Sequence, residues 1–236
     1  MSDQKPVLVT GASGYIALHV VAQLLAAGHA VRGTVRSLDR EAELRQALGV
    51  AAGAQQLSFV VADLTSDAGW EAAVAGCELV VHTASPVPMT KPKHEDELVL
   101  PAREGALRLL RAASAAGVRR VVLTSSVAAV SAGGQRQDGR AYTEADWSDL
   151  DGDIDAYSKS KTLAERAAWD YVRGLPDDRP MELVAINPSL VLGPNLARDA
   201  SPSVEVIRKM LAREVPGCPR LGWSMVDVRD LSLIHI

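Results

Sequence analysis

The chain has 236 residues, 47% of them hydrophobic and 23% charged, which is enough to bury one sizeable core, or one core and a small lobe. A formal net charge of -4 without any lysine or arginine run gives no footprint for nucleic acid or an anionic membrane, and no stretch is apolar enough to span a bilayer. Two cysteines, Cys77 and Cys218, lack CxxC or metal-ligand spacing and read as reduced thiols, so no metal is expected. With no room for a signal peptide before Pro6, the expected location is the cytoplasm.

Six short apolar runs recur along the chain: PVLVT from Pro6, AVRGTVR from Ala30, LSFVVA from Leu57, ELVVHTA from Glu78, RRVVLTSS from Arg119 and MELVAINP from Met181. Their hydrophobicity is continuous rather than alternating, as in strands covered on both faces, and this predicts a parallel sheet. Helix-like segments fall between them at about Tyr15–Ala27, Asp39–Leu48, Asp67–Ala75, Glu95–Ala116 and Ala156–Val172. The alternation predicts a doubly wound α/β fold. The stretch Ser131–Asp155 reads as a polar loop running toward Tyr157, with the charges of EADW and DGDID solvated. After Pro188 the rhythm lapses into a helix-like SVEVIRKMLARE from Ser203, a turn at Pro216–Gly222 and a strand-like SMVDV with no helix expected to cover it. The ending LSLIHI is also what a transposon-end adapter encodes, so residues 231–236 read as a non-native end on a truncated frame. The expected division is residues 1–190 as a cofactor-binding domain and 191–236 as the incomplete start of a substrate lobe.

TGASGYIA, Thr10 to Ala17, joins the first strand to the first helix with GxxGxxA spacing. In that position Gly11 can take positive φ, Gly14 admits a pyrophosphate to bare backbone and Ala17 lets the helix lie close to the sheet. Gly11, Ser13, Gly14, Tyr15 and Ile16 are therefore candidate cofactor contacts. At the end of the second strand, where a carboxylate would hold the ribose hydroxyls of NAD, stand Arg36 and, one turn on, Arg40. Guanidinium groups there suit a 2′-phosphate, which makes NADP the expected cofactor. Asp63 and Leu64 end the third strand, where they could meet an adenine, although Asp63 could equally be a turn or cap carboxylate. Thr83, Ala84 and Ser85 end the fourth, beside the expected ribose and pyrophosphate.

Tyr157 and Lys161 lie one helical turn apart in AYSKSKTLAERAAW, so an ammonium can lower the pKa of a phenol on the same face. A hydroxyl from TSS, Thr124–Ser126, could hold a substrate oxygen. Together these are the parts needed to give a proton to a carbonyl that receives a hydride. His19, His29, His82 and His94 have no partner at suggestive spacing and read as ordinary buried or surface histidines.

TGASGYIA, Asp63-Leu64, HTASP at His82–Pro86, TSS, YxxxK and NPSLVLGP occur in the order of the extended short-chain dehydrogenases/reductases, which the chain resembles up to VDVRD. Within them it is most similar to the dihydroflavonol reductase, cinnamoyl-CoA reductase and yeast-type carbonyl (aldehyde) reductase branch. The resemblance implies a Rossmann-type fold, with Ser126 as catalytic serine, Tyr157 as acid/base and Lys161 as its activator. Both Tyr157 and Lys161 would also touch the cofactor, and Pro188, Ser189, Leu190 and Val191 would lie on the nicotinamide side. The implied activity is NADPH-dependent reduction of a small-molecule aldehyde or ketone. A sugar-nucleotide epimerase or dehydratase, a hydroxysteroid-type dehydrogenase and a non-catalytic NADP sensor are the alternatives; the last predicts a missing Tyr or Lys, and neither is missing.

Overall fold

A computed structural model describes residues 5–51, 53–87, 92–134, 138–197, 201–214, 217 and 222–236; Cys218 lies outside them. Six parallel strands, β1 (Val7–Thr10), β2 (Val31–Val35), β3 (Leu57–Val61), β4 (Leu79–His82), β5 (Arg120–Thr124) and β6 (Glu182–Ile186), form a sheet in the order β3-β2-β1-β4-β5-β6. The order reverses between β1 and β4, opening a crevice at the carboxyl ends of these two strands.

Successive strand residues feed opposite faces of the sheet. Leu8 and Val80 join one core with Leu109, Leu110, Val121 and Leu183, while Val7, Val9 and Val81 join a second with Leu18, Val21, Leu24 and Leu57. This two-sided burial explains why β1 and β4 read as apolar runs, whereas the edge strands β3 and β6 leave Val61 and Val184 exposed. Helices α1 (Tyr15–Ala26) and α2 (Glu41–Ala47) cover the second core. The first is covered by α3 (Trp70–Val74), α4 (Asp96–Ala115) and α5 (Ala156–Arg173). Gly33, within β2, is required by close approach: a Cβ there would stand 2.6 Å from the Cβ of Ala12, in the turn after β1.

Two stretches depart from expectation. The third helix is shorter than Asp67–Ala75 because the chain before it is folded into turns, with Thr65 N–H on Asp63 and the Trp70 indole N–H on the carbonyls of Asp63 and Ser66. In the tail, β7 (Leu190–Leu192) pairs in parallel with β8 (Met225–Asp227), and between them α6 (Pro202–Leu211) buries none of its residues. The expectation that nothing helical follows VDV is corrected. Asp227 caps α7 (Val228–Ile234), which packs on α1 and buries Val228, Leu231 and Ser232. His235 follows into the interior, 2% exposed.

Candidate active site

The turn after β1 is shaped by β2. The Gly11 N–H donates to Thr34 Oγ1 at 2.9 Å and the Ala12 N–H to the Thr34 carbonyl at 2.8 Å, while the Gly14 N–H donates to the Gly11 carbonyl at 2.8 Å. Gly11 has φ +64°, and a Cβ there would come within 3.0 Å of the Ala84 Cα, so the backbone cradle exists only without a side chain. Gly14 is the N-cap of α1, without a side-chain cap and with no acidic residue in the first turn. The positive pole over Tyr15 and Ile16 is thus left to an anion. Ser13, half-buried, lies in the same turn. Thr83 Oγ1 donates to the Thr10 carbonyl at 2.5 Å and the Ala84 N–H to Thr10 Oγ1 at 3.1 Å, which ties the end of β4, and Ser85 after it, to the wall of the crevice.

The two arginines are not equivalent. Arg40 is engaged by Glu43 through Nε–H and Nη2–H at 2.9 and 2.8 Å, whereas Arg36 is exposed and its charge helps hold Asp63 ionised. Asp63 is foremost a turn carboxylate: its Oδ1 accepts from both the hydroxyl and the N–H of Thr65, which holds its pKa below the ordinary carboxylate range. Leu64 belongs to the core on the α4 side, where it packs over the space left by Gly105.

Ser126, Tyr157 and Lys161 are brought together at the carboxyl end of β5. The Ser126 hydroxyl, which donates to the Pro188 carbonyl at 3.5 Å, is near enough to Tyr157 to favour its phenolate, while Lys161 Nζ lies 5.9 Å from the centre of the Tyr157 ring and donates to the Thr124 carbonyl at 3.4 Å. Ser126 also caps the short turn Val127–Ala129 through the Ala128 N–H, at 3.1 Å. Ser125 is buried, with a hydroxyl that has no partner among the described residues. The expected lowering of the Tyr157 pKa is absent here: burial raises it first, Ser126 opposes, and Asp155 raises it further. Lys161 itself is pushed down to about 8 by burial, against the charge of Glu165.

Several supporting residues were invisible in the motif pattern. Asp155, expected to be a solvated loop charge, caps α5 by accepting from the N–H groups of Tyr157 and Ser158 at 2.9 and 3.0 Å. Its position just before a helical pattern was the available signal. Ser148 is buried and pins the preceding loop, accepting from the Ala132 N–H and donating to the Ala128 carbonyl, and the Arg166 guanidinium lies 5.0 Å from the Trp147 ring. Behind the site, Asn187 Nδ2 donates to the Ser126 carbonyl at 3.0 Å and to Glu165 Oε2 at 2.8 Å. Pro188 accepts from the Val127 N–H; Ser189 and Leu190 follow, half-buried, and Val191 packs with Val228 and Leu231. His82 is buried against the Thr10 hydroxyl, and His19 donates from Nε2 to the Pro194 carbonyl at 2.9 Å.

Residues 7–232 match the NAD dependent epimerase/dehydratase family. The chain belongs to that family. Among relatives within it, cinnamoyl-CoA reductase 1 of Arabidopsis thaliana is 38% identical over 237 residues, covering 98% of this chain and 66% of that protein. Dihydroflavonol 4-reductase of Hordeum vulgare is 36% identical over 211 residues, 86% of this chain and 57% of its own. The crystal structure of yeast methylglyoxal/isovaleraldehyde reductase Gre2 complexed with NADPH superposes with a TM-score of 0.85 at 30% identity, over 98% of this chain and 72% of that one. The chain thus spans about two thirds of the length of curated members of the family that it matches. Among the described residues, no helix is long and apolar enough to cross a membrane and no cluster of three or more His, Cys, Asp or Glu could hold a metal.

Proposed function

We propose that this chain carries the NADP site and the catalytic group of a reductase that converts an aldehyde or ketone to an alcohol. The convergence of Ser126, Tyr157 and Lys161 beside a cradle that a Cβ would fill carries the reading. The donor set fits the dinucleotide: the uncapped start of α1 takes the pyrophosphate, Arg36 the 2′-phosphate, and Thr83 to Ser85 with Pro188 to Val191 flank the ribose and nicotinamide. Arg40 contributes while remaining paired with Glu43.

When bound, reduced nicotinamide supplies the hydride that adds to the carbonyl carbon. Ser126 donates a hydrogen bond to the carbonyl oxygen and orients it. Tyr157 transfers its phenolic proton to that oxygen as negative charge develops there, leaving a phenolate that solvent reprotonates. Lys161, whose pKa of about 8 leaves it largely charged at neutral pH, stabilises the phenolate. In the chain as described, the Tyr157 pKa is raised, so the activating charge has to outweigh burial during the reaction.

The substrate is a small carbonyl compound, the similar reductases acting on cinnamoyl-CoA, dihydroflavonols, methylglyoxal and isovaleraldehyde. The test is NADPH consumption against a panel of aldehydes, ketones and flavonoids, in the chain and in Tyr157→Phe. Turnover should vanish in the variant while NADPH still binds, because the proton is lost with little change in volume. Near-normal turnover in Tyr157→Phe would remove the acid/base assignment.

A further inference from the structure

Glu165 lies one helical turn beyond Lys161 and two beyond Tyr157 on α5, and it is only 6% exposed. A buried carboxylate is retained only when it is paired and hydrogen-bonded. Here both oxygens are occupied: Oε1 accepts from the Trp169 indole N–H at 3.3 Å and Oε2 from Asn187 at 2.8 Å. Asn187 spends its other amide proton on the carbonyl of Ser126, the residue that favours the phenolate of Tyr157. One side chain thereby reaches two members of the catalytic group by separate routes: through Asn187 to the backbone of Ser126, and through space to the ammonium of Lys161.

We propose that Glu165 is a positioning residue for the Ser126, Tyr157 and Lys161 group, fixing the serine through Asn187 and serving as the buried counter-charge of the lysine. The proposal rests on the reductase reading given above. Trp169 and Asn187 leave the carboxylate no outward partner, so its charge is spent inward. Around Lys161 the titratable groups are Tyr157 and Glu165 of α5, His82 of β4, and His235, which follows α7 and reaches the Thr124 hydroxyl at 2.8 Å. His82 is neutral, with its pKa pushed down to about 3. Burial lowers the pKa of His235 and keeps the ring neutral; with Nδ1–H donating to the Leu231 carbonyl, its Nε2 accepts from Thr124 and brings no charge. The acid that α4 directs at α5, Glu95, is held by Lys159. Glu165 is thus the charge that opposes the desolvation of Lys161.

The test follows the Lys161 ammonium directly, by carbon-13 NMR of lysine labelled at Cε, assigned through its loss in Lys161→Arg. Glu165→Gln should move the Lys161 midpoint from about 8 downward by about one unit, as expected for loss of a neighbouring opposite charge. The alkaline limb of the rate profile for carbonyl reduction should fall with it, so that the variant recovers rate as pH is lowered. Glu165→Asp, which keeps the charge but shortens the reach to Asn187, should restore the midpoint and leave kcat reduced with KM little changed. Glu95→Gln, which breaks the Lys159 pair at the α4–α5 contact, controls for general loosening and should leave the midpoint alone. An unmoved midpoint in Glu165→Gln, with only a lower thermal midpoint, would overturn the proposal. The absence of NADPH-dependent reduction in the unaltered chain would instead overturn the reductase reading, and the lysine titration would still report the action of Glu165.

Discussion

Acid sensitivity should originate at His82. It sits at the end of β4, 3% exposed, with Nδ1 2.7 Å from the Thr10 hydroxyl, and burial together with the Lys161 charge pushes its pKa from 6.5 to about 3. The folded value lies below the unfolded one, so as pH falls the unfolded chain binds the proton first. Stability is therefore intact above about pH 6.5 and drains away down to about pH 3. Within that window one proton is worth about 1.4 kcal/mol per pH unit, so between pH 7 and pH 5 the loss should be about 2 kcal/mol. His82→Gln keeps a polar atom for Thr10 and cannot titrate. Urea unfolding followed by circular dichroism at pH 5, 6 and 7 should show the variant losing about 2 kcal/mol less than the parent over this range. His235, its pKa lowered by burial, acts in the same direction in both proteins, while the depressed carboxylates Asp63 and Asp227 act at lower pH. Parallel pH dependence in parent and variant would refute the assignment of the acid loss to His82.

Arg36→Ala should weaken NADPH binding by roughly ten- to a hundredfold, the value of a charge-assisted hydrogen bond of about 1.5–3 kcal/mol, and barely alter NADH binding. Fluorescence titration of both cofactors checks this, and equal losses would contradict the 2′-phosphate role. Gly11→Ala forces a left-handed conformation on a residue with a Cβ, which alone costs about 1–2 kcal/mol, and drives that Cβ against Ala84. Thermal unfolding should fall by several degrees and NADPH affinity should drop with it; a variant that binds NADPH as the parent does would show that the cradle is not used.

The sheet was legible because its strands are local signals: in β1 and β4 burial on both faces leaves an apolar run in which Leu8 and Val9 serve opposite cores without either being polar, and the edge strands β3 and β6 stay apolar although Val61 and Val184 are exposed. Strand-end motifs were legible for the same reason, since Thr10 to Ala17, Thr83 to Ser85 and Thr124 to Ser126 occupy fixed offsets from those runs. Contacts that join distant segments were not. Nothing in the spacing of Glu165 and Asn187, 22 residues apart, announces that they meet, nor that Thr34 would hold the Gly11 turn. Asp155 was misread because a cap and a solvated loop charge differ only in whether the following amides turn toward the carboxylate. The final helix was missed because LSLIHI supplies little amphipathic pattern, and its burial depends on α1, which is more than 200 residues earlier in the chain. The Tyr157 pKa was predicted from charge alone, whereas desolvation dominates it.

The parallel pairing of Leu190–Leu192 with Met225–Asp227 places the two ends of the intervening segment side by side, at the spacing of adjacent strands, about 4.8 Å. That segment contributes α6, in which no residue is buried, and Leu211 at its end is 81% exposed. Since closing a longer or shorter excursion between fixed ends changes the chain entropy only slowly with length, the segment behaves as an exchangeable cassette. Pro194, whose carbonyl accepts from His19, and Leu196 and Ala197, which pack on the second core, have to be kept; a different excursion grafted between Ala197 and Met225 leaves the six-stranded sheet untouched, because neither anchor strand belongs to it. Diversification of whatever this excursion contacts can therefore proceed without renegotiating the cofactor half.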